Sequence, residues 1–219
     1  MSVFTMILIV GALTIYNQNL LLRGLYEKPR WYIIHATINA FITVWTFPYV
    51  ITMLSVPFPE FDGASIMPCL IVMSLHMFHC LCFNLNKYDV IHHVVMLTIL
   101  IIPIIHSTNH QFVGFSNYAL FFLCGLPGGI DYYMMYLVEL GHMDKLTEKL
   151  YNSQLNTWIR PLGILLGAYY CYHRWLLDMI PTIYAFPVII AFIWNAQYFS
   201  SLVSFSYGYH TGRLDSRLQ

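Results

Sequence analysis

Two adjacent histidines, His92 and His93, lie about one turn inside a long apolar segment of the chain. The imidazole side chain titrates near neutral pH, so it can act as a general base, a general acid or a nucleophile toward an acyl carbon. A polar side chain in hydrocarbon raises the free energy unless it is hydrogen-bonded, hydrated or functional. The pair therefore indicates a polar site inside a membrane protein.

Other polar side chains are predicted at comparable depths in neighbouring apolar segments. They are three histidines, a carboxylate and two amides: His35, His76, His79, Asp131, Asn195 and Gln197. His76 and His79 are three residues apart and share a helical face. His92 and His93 are about 100° apart on a helix, so only one of them can point directly into a shared cavity.

These residues divide into two predicted sets. The candidate catalytic residues are His92, His93, Asp131 and Asp89. Asp89 is included because it stands one turn before His93 and can orient an imidazole through its ring N–H. The candidate substrate-binding residues are His76, His79, His35, Asn195 and Gln197. A histidine in a membrane helix can instead serve only as an interhelical hydrogen bond, worth about 0.6–2 kcal/mol, and this alternative is strongest for His35.

The composition places the chain among membrane proteins. Of its 219 residues, 58% are hydrophobic and only 9% are charged, against roughly 25% charged residues in soluble proteins. The formal net charge is zero at pH 7, so nothing indicates a nucleic-acid partner. The five cysteines are odd in number and lack the Cys-x-x-Cys spacing of metal sites, and we predict neither a metal nor a resident cofactor.

Seven segments are predicted to span the membrane as helices, because each has close to the 20 or so mostly apolar residues that a span needs. They are 3–22, 31–54, 65–84, 89–106, 115–140, 159–177 and 181–206. The polar stretch 141–156 is interpreted as the only long loop. We predict a first span with a basic loop at 1–30, one six-helix membrane domain at 31–210 and a short tail at 211–219.

The positive charges predict the orientation of these spans. The loops after the first, third and fifth spans, together with the C-terminus, hold nine of the ten Lys and Arg residues, and only Arg174 lies on the other side. Cytoplasmic loops carry the excess of Lys and Arg in membrane proteins. We therefore expect a lumenal N-terminus and a cytosolic C-terminus.

A Pro-Gly-Gly run, 127–129, interrupts the fifth predicted span just before Asp131. Proline removes a backbone donor and kinks a helix, and irregular backbone is tolerated in a membrane only beside protein or a hydrated cavity. The break is expected to aim Asp131 into such a cavity. The alternative is a packing notch of small residues between two helices.

The segment 88–95 reads YDVIHHVV and resembles the core of the TLC-domain family, where an Asp precedes a His-His pair at the start of a span. A second family motif places an Asp ahead of a run such as DYYMMYL, which stands at 131–137. In ceramide synthases that motif reads His-Asp-x-x-Asp; here PGGID occupies 127–131, and only the final Asp matches. The closing segment WNAQY at 194–198 is similar to the family's polar and aromatic last helix.

The resemblance covers roughly residues 30–210 and implies a fold and a function. Spans two to seven would form a six-helix barrel around a lipid-sized cavity, with the first span outside it. The family includes ceramide synthases, translocation-associated membrane proteins and lipid-homeostasis proteins. We therefore expect a protein of the endoplasmic reticulum or a related membrane that binds or acts on long-chain acyl lipids.

Three functions remain open at this point. The first is acyl transfer, in which His92 or His93 attacks an acyl carbonyl or deprotonates an amine, Asp131 or Asp89 holds the tautomer, and acyl-coenzyme A is the co-substrate. The second is a non-enzymatic protein that binds lipid or escorts membrane cargo, with a membrane-protein partner or a second copy of the chain. The third is a di-iron lipid oxygenase, suggested by His76, His79 and the His92-His93 pair, although no further His-x-x-His-His box follows.

Overall fold

The fold is all-helical, as predicted. The computed structural model describes residues 2–56, 59–106 and 108–218, which form seven continuous helical stretches without a strand among them. The helices are α1 Ser2–Leu22, α2 Glu27–Ser55, α3 Met67–Cys82, α4 Lys87–Ile105, α5 His110–Leu120, α6 Leu126–Glu139, α7 Lys145–Gln154, α8 Arg160–Leu176 and α9 Thr182–Leu218. Single π-helical turns, Phe121–Gly125 and Leu155–Ile159, join α5 to α6 and α7 to α8.

Four of the described helical stretches are long and apolar enough to cross a membrane: Val3–Leu22, Glu27–Ser55, His110–Glu139 and Thr182–Gly212. The chain is therefore an integral membrane protein by length and composition. Two shorter apolar helices, Met67–Cys82 and Asp89–Ile102, coincide with the third and fourth predicted spans. Sixteen residues of α3 reach only about 24 Å, so its crossing of the full bilayer remains a prediction.

The helices form two compact units, Met1–Glu139 and Leu140–Gln219. In the first unit α2 packs along α6, and α3 packs against α1, α2 and α4. A core of buried side chains joins α2, α3, α4 and α5 through Ile42, Val72, Leu100 and Leu120. The domain boundaries at residues 30 and 210 remain predictions.

Local sequence signals fix where α3 and α4 begin. Pro68 occupies the first turn of α3, where its missing N–H would have had no intrahelical partner. At the start of α4 the backbone N–H of Asn86 donates to Asp89 Oδ2 over 3.0 Å, and the N–H of Asp89 donates to Asn86 Oδ1 over 3.1 Å. This reciprocal capping satisfies two otherwise unpaired donors and sets the helical phase at which His92 and His93 follow.

In the second unit α7, α8 and α9 pack together, and the prediction of a loop over 141–156 was wrong. Lys145–Gln154 is a helix whose N-cap is Asp144, with Oδ1 accepting the backbone N–H of Thr147 over 2.9 Å. The Thr147 hydroxyl also donates to this carboxylate, and the two bonds lower the pKa of Asp144 below its ordinary value. A helix can be polar and still form when it is capped and packed against a neighbour.

Candidate functional site: a histidine cluster on α3 and α4

Four histidines of α3 and α4 converge, and we call them the histidine cluster: His76, His79, His92 and His93. His76, His79 and His93 are only 3, 6 and 4% exposed. The Nδ1 atom of His79 lies 2.8 Å from Nε2 of His93, and Nδ1 of His93 lies 3.0 Å from Nδ1 of His76. Of the adjacent pair, His93 is the one that reaches histidines on another helix, and the shared cavity remains a prediction.

His93 is the centre of this arrangement because both of its ring nitrogens are engaged. A neutral imidazole has one donor and one acceptor, so His93 accepts from one neighbour and donates to the other. The remaining ring nitrogen of His76, Nε2, is buried without a hydrogen-bond partner. Among the residues that the structure describes, no group fills this second bonding position of His76.

His92 is the exposed member of the cluster. Its ring centroid lies 5.2 Å from that of His76 and 5.6 Å from that of His93. Donor nitrogens of His76, His92 and His93 all lie within 4.8 Å of one another. The separation of about 100° between adjacent helical positions accounts for the burial of His93 and the exposure of His92.

Aromatic rings from α2 and α6 enclose the buried histidines on one side. Trp31 stacks on His79 with ring centroids 3.6 Å apart and an interplanar angle of 10°. Tyr132 stacks on His35 at 3.7 Å and 8°, and Trp31 meets the edge of His35 at 4.9 Å. Below them Leu75 packs with Trp31 in a second apolar core that joins α1, α2 and α3. The imidazole of His79 is thus held in one orientation.

His35 has its own polar partner. The side-chain amide Nδ2 of Asn39, one turn further along α2, donates to His35 Nδ1 over 2.8 Å. Because an amide nitrogen only donates, His35 carries its proton on Nε2. Both side chains are buried. The alternative considered for His35 was a hydrogen bond between helices; in the structure its hydrogen bond lies within α2, and its contact with α6 is the stacking on Tyr132.

The two predicted carboxylates have different surroundings. Asp89 is half-buried and caps α4, the helix that carries His92 and His93, as described above. Asp131 is half-buried on α6, immediately before Tyr132, the residue that stacks on His35. The catalytic roles predicted for both carboxylates remain predictions.

The Pro-Gly-Gly run at 127–129 brings α6 close to α2. A methyl group at Gly128 would lie 2.8 Å from Asn39 Nδ2, and one at Gly129 would lie 3.4 Å from Asn39 Cβ. The helix immediately before this run is π-helical, Phe121–Gly125. The run itself is α-helical within α6, so of the two readings the packing notch is the one present, and it brings α6 against the residue that binds His35. The cavity into which Asp131 was expected to point remains a prediction.

Asn195 and Gln197 lie in the second unit, on α9. Asn195 is half-buried and Gln197 is exposed. Their predicted role in substrate binding remains a prediction.

The second unit contains a column of buried polar side chains that was not predicted from the sequence. Its members are spaced four residues apart along α7, the π-helical turn that follows it and the start of α8, and all are buried: Glu148, Asn152, Asn156 and Arg160. Glu148 pairs with Lys145 at 2.9 Å, and Asn156 Nδ2 donates to Asn152 Oδ1 over 2.6 Å. The i,i+4 spacing of these four polar residues is typical of one helical face and could have predicted the column, but residues 141–156 were interpreted as a loop.

No protein-family model matches the chain, and neither a curated protein nor a solved structure gives a match. The function must therefore be argued from the residues of the site.

Proposed function

We propose that this protein is a TLC-type membrane protein that binds long-chain acyl lipids and presents the histidine cluster to the polar end of the lipid. The observation that carries the proposal is the contact of His93 with both His76 and His79 on apolar helices. Three buried imidazoles are costly in such surroundings, and polar groups kept there mark functional sites by default. The resemblance of 88–95 to the core of the TLC-domain family is the reason for proposing a long-chain acyl lipid as the ligand.

Acyl transfer from acyl-coenzyme A is the reaction that this site fits. The exposed His92 is the member of the cluster that a bound acyl group can meet, and its ring centroid lies 5.2 Å from that of His76 and 5.6 Å from that of His93. In the overall reaction the thioester C–S bond breaks, the acyl group passes to an amine or hydroxyl of a lipid, and the proton of that acceptor goes to the departing thiolate. A cluster of imidazoles can carry this proton near neutral pH.

The cellular setting forms part of the proposal. The protein lies in the endoplasmic reticulum or a related membrane with its C-terminus cytosolic, where coenzyme A esters can reach the cytosolic ends of α3 and α4. The six-helix barrel with α1 outside belongs to the same proposal. Its support is that each predicted span overlaps a helix of the described chain, four of these helical stretches being long and apolar enough to cross a membrane.

A non-enzymatic lipid-binding or cargo-binding role is the second candidate, and the 127–129 run favours it. The family's His-Asp is replaced there by Pro127-Gly128, and Gly128 packs against Asn39 on α2. A position used for close helix packing supplies no acid or base. In this role the same histidines bind a lipid headgroup without turnover.

Purified protein in lipid nanodiscs separates the two candidates. We would measure acyl-CoA consumption and co-purified lipid, by mass spectrometry, for wild type, His92→Ala and a control, His142→Ala, whose histidine is exposed outside the cluster. An acyltransferase loses about 10²-fold or more in rate with His92→Ala and is unchanged in the control. If the protein only binds lipid, none of the three proteins consumes acyl-CoA, and His92→Ala retains less acyl lipid than wild type. Wild type with neither turnover nor acyl lipid contradicts both.

A further inference from the structure

We propose that His76, His92 and His93 bind a single divalent metal ion of the imidazole-preferring class, with zinc as its representative. This inference goes beyond the proposed function and departs from the prediction that the chain holds no metal. Donor nitrogens of the three histidines lie within 4.8 Å of one another. Imidazole nitrogens suit zinc, copper, iron and nickel, and three protein ligands with a fourth position open are typical of catalytic zinc.

Two of the nitrogens are spaced nearly as two ligands of one metal ion are, and the donor nitrogen of His92 lies within 4.8 Å of theirs. With zinc–nitrogen bonds of about 2.0–2.1 Å in a tetrahedron, neighbouring ligand nitrogens stand about 3.4 Å apart. The Nδ1 atoms of His76 and His93 are 3.0 Å apart, so these two need to separate by only a few tenths of an ångström, and His92, on the exposed side, moves toward them to complete the site. Without an ion, the Nδ1–H of His76 donates to Nδ1 of His93; when both Nδ1 atoms bind the ion, that proton passes to Nε2 of His76, which stays neutral.

A further observation leaves room for a ligand at this site. His92, the third member, is exposed, so one side of the site is open for the ligand in the fourth position.

His79 has the position of a residue that orients a metal ligand. Metal-binding histidines commonly donate their second ring N–H to an acceptor that fixes the tautomer. If His93 binds the ion through Nδ1, its Nε2–H donates to Nδ1 of His79 over 2.8 Å. Trp31 stacks on His79 at 3.6 Å and holds that acceptor in place.

The ion changes the chemistry available at the site. Its positive charge polarises an acyl carbonyl oxygen or activates a bound water. The lone pair of His92 is then committed to the metal, so that the acyl carbonyl meets the ion and not the imidazole. The substrate class proposed above stays the same.

The first test uses wild-type protein carrying an affinity tag without histidine, grown with added zinc and purified in detergent. We expect about one zinc ion per chain by elemental analysis and X-ray absorption showing three imidazole ligands. After chelation, cobalt(II) added as the probe should give the visible spectrum of a tetrahedral site. Protein that holds no stoichiometric zinc and does not bind cobalt overturns the proposal, as does a ligand shell with fewer than three imidazoles.

Matched variants locate the site. His76→Ala should abolish stoichiometric cobalt binding, while His142→Ala, with an exposed histidine elsewhere, should leave it unchanged. His79→Phe keeps an aromatic ring on Trp31 but removes the acceptor, so cobalt affinity should fall about tenfold to a hundredfold. His79→Gln keeps a hydrogen-bond acceptor, so its cobalt affinity should lie between those of His79→Phe and wild type. Equal metal loss in His142→Ala overturns the proposal.

The metal site and the proposed function fail in distinguishable ways. Protein that retains acyl lipid but no metal refutes the ion and leaves the lipid role standing. Protein that holds one ion in a three-imidazole shell, yet no acyl lipid and no turnover, confirms the ion and refutes the lipid role.

Discussion

His93 is the residue on which the histidine cluster depends. Its two ring nitrogens bridge α4 to two positions of α3, at 2.8 and 3.0 Å. Its neighbour His92 is also a histidine and lies on the same helix, but its side chain is exposed. The two side chains therefore separate the part of the cluster that stabilises the fold from the part that can meet a ligand.

Replacing each of these histidines with phenylalanine should have unequal effects on stability. His93→Phe leaves nitrogens of His76 and His79 buried without their partner, and we expect metal-free protein to lose about 2 kcal/mol of unfolding free energy. His92→Phe, at an exposed position, should change it by less than about 0.5 kcal/mol. Reversible unfolding in detergent, followed by tryptophan fluorescence, measures both. Equal losses in the two variants would contradict a larger contribution of the buried His93 contacts to stability.

Individual residues were only partly predictable. The depth of His79 and His93 followed from where apolar segments begin and end, and their contact could be anticipated. The stacking of Trp31 on His79 and of Tyr132 on His35 could not, because it depends on which faces of α2 and α6 turn inward. A single sequence gives no measure of that rotation when a helix is apolar all round.

At the scale of elements, the close packing of α2 and α6 connects the Pro-Gly-Gly run to the histidines. Gly128 approaches Asn39, and Asn39 donates to His35. The positions of the helices were predictable from hydropathy, since length and apolar content define a span. The helix α7 was not, because capping by Asp144 and packing on α9 override its polar composition.

A larger side chain at Gly128 should separate α6 from α2. In Gly128→Leu the first added carbon would lie 2.8 Å from Asn39 Nδ2, so either the Asn39–His35 hydrogen bond breaks or the helices move. Overpacking of this kind costs about 1–3 kcal/mol. The matched control is Gly11→Leu on α1, where nothing lies within 4 Å. Thermal unfolding of both variants in the same detergent tests this, and an equally stable Gly128→Leu would contradict the packing.

At the scale of the whole molecule, the charge distribution predicts topology. Nine of the ten Lys and Arg residues belong to one set of alternate loops. The chain has no Asn-x-Ser/Thr sequence of its own, so inserted acceptor sites can be scored against a clean background. We expect glycosylation in microsomes for sites inserted at 60–62 and at 178–180, and none at 142–144 or after residue 219. A glycan at 142–144 together with none at 178–180 would reverse the orientation.

The central claim, that the histidine cluster meets an acyl lipid, is tested most directly by photocrosslinking with a diazirine-bearing long-chain acyl-CoA in nanodiscs. The account predicts label concentrated on the α4 segment around His92, removed by excess unlabelled acyl-CoA and reduced in His92→Ala. Helix α1, with many exposed apolar side chains, serves as the reference for non-specific contact with bulk lipid. Label spread equally over α1 and α4, and insensitive to competition, would contradict the claim.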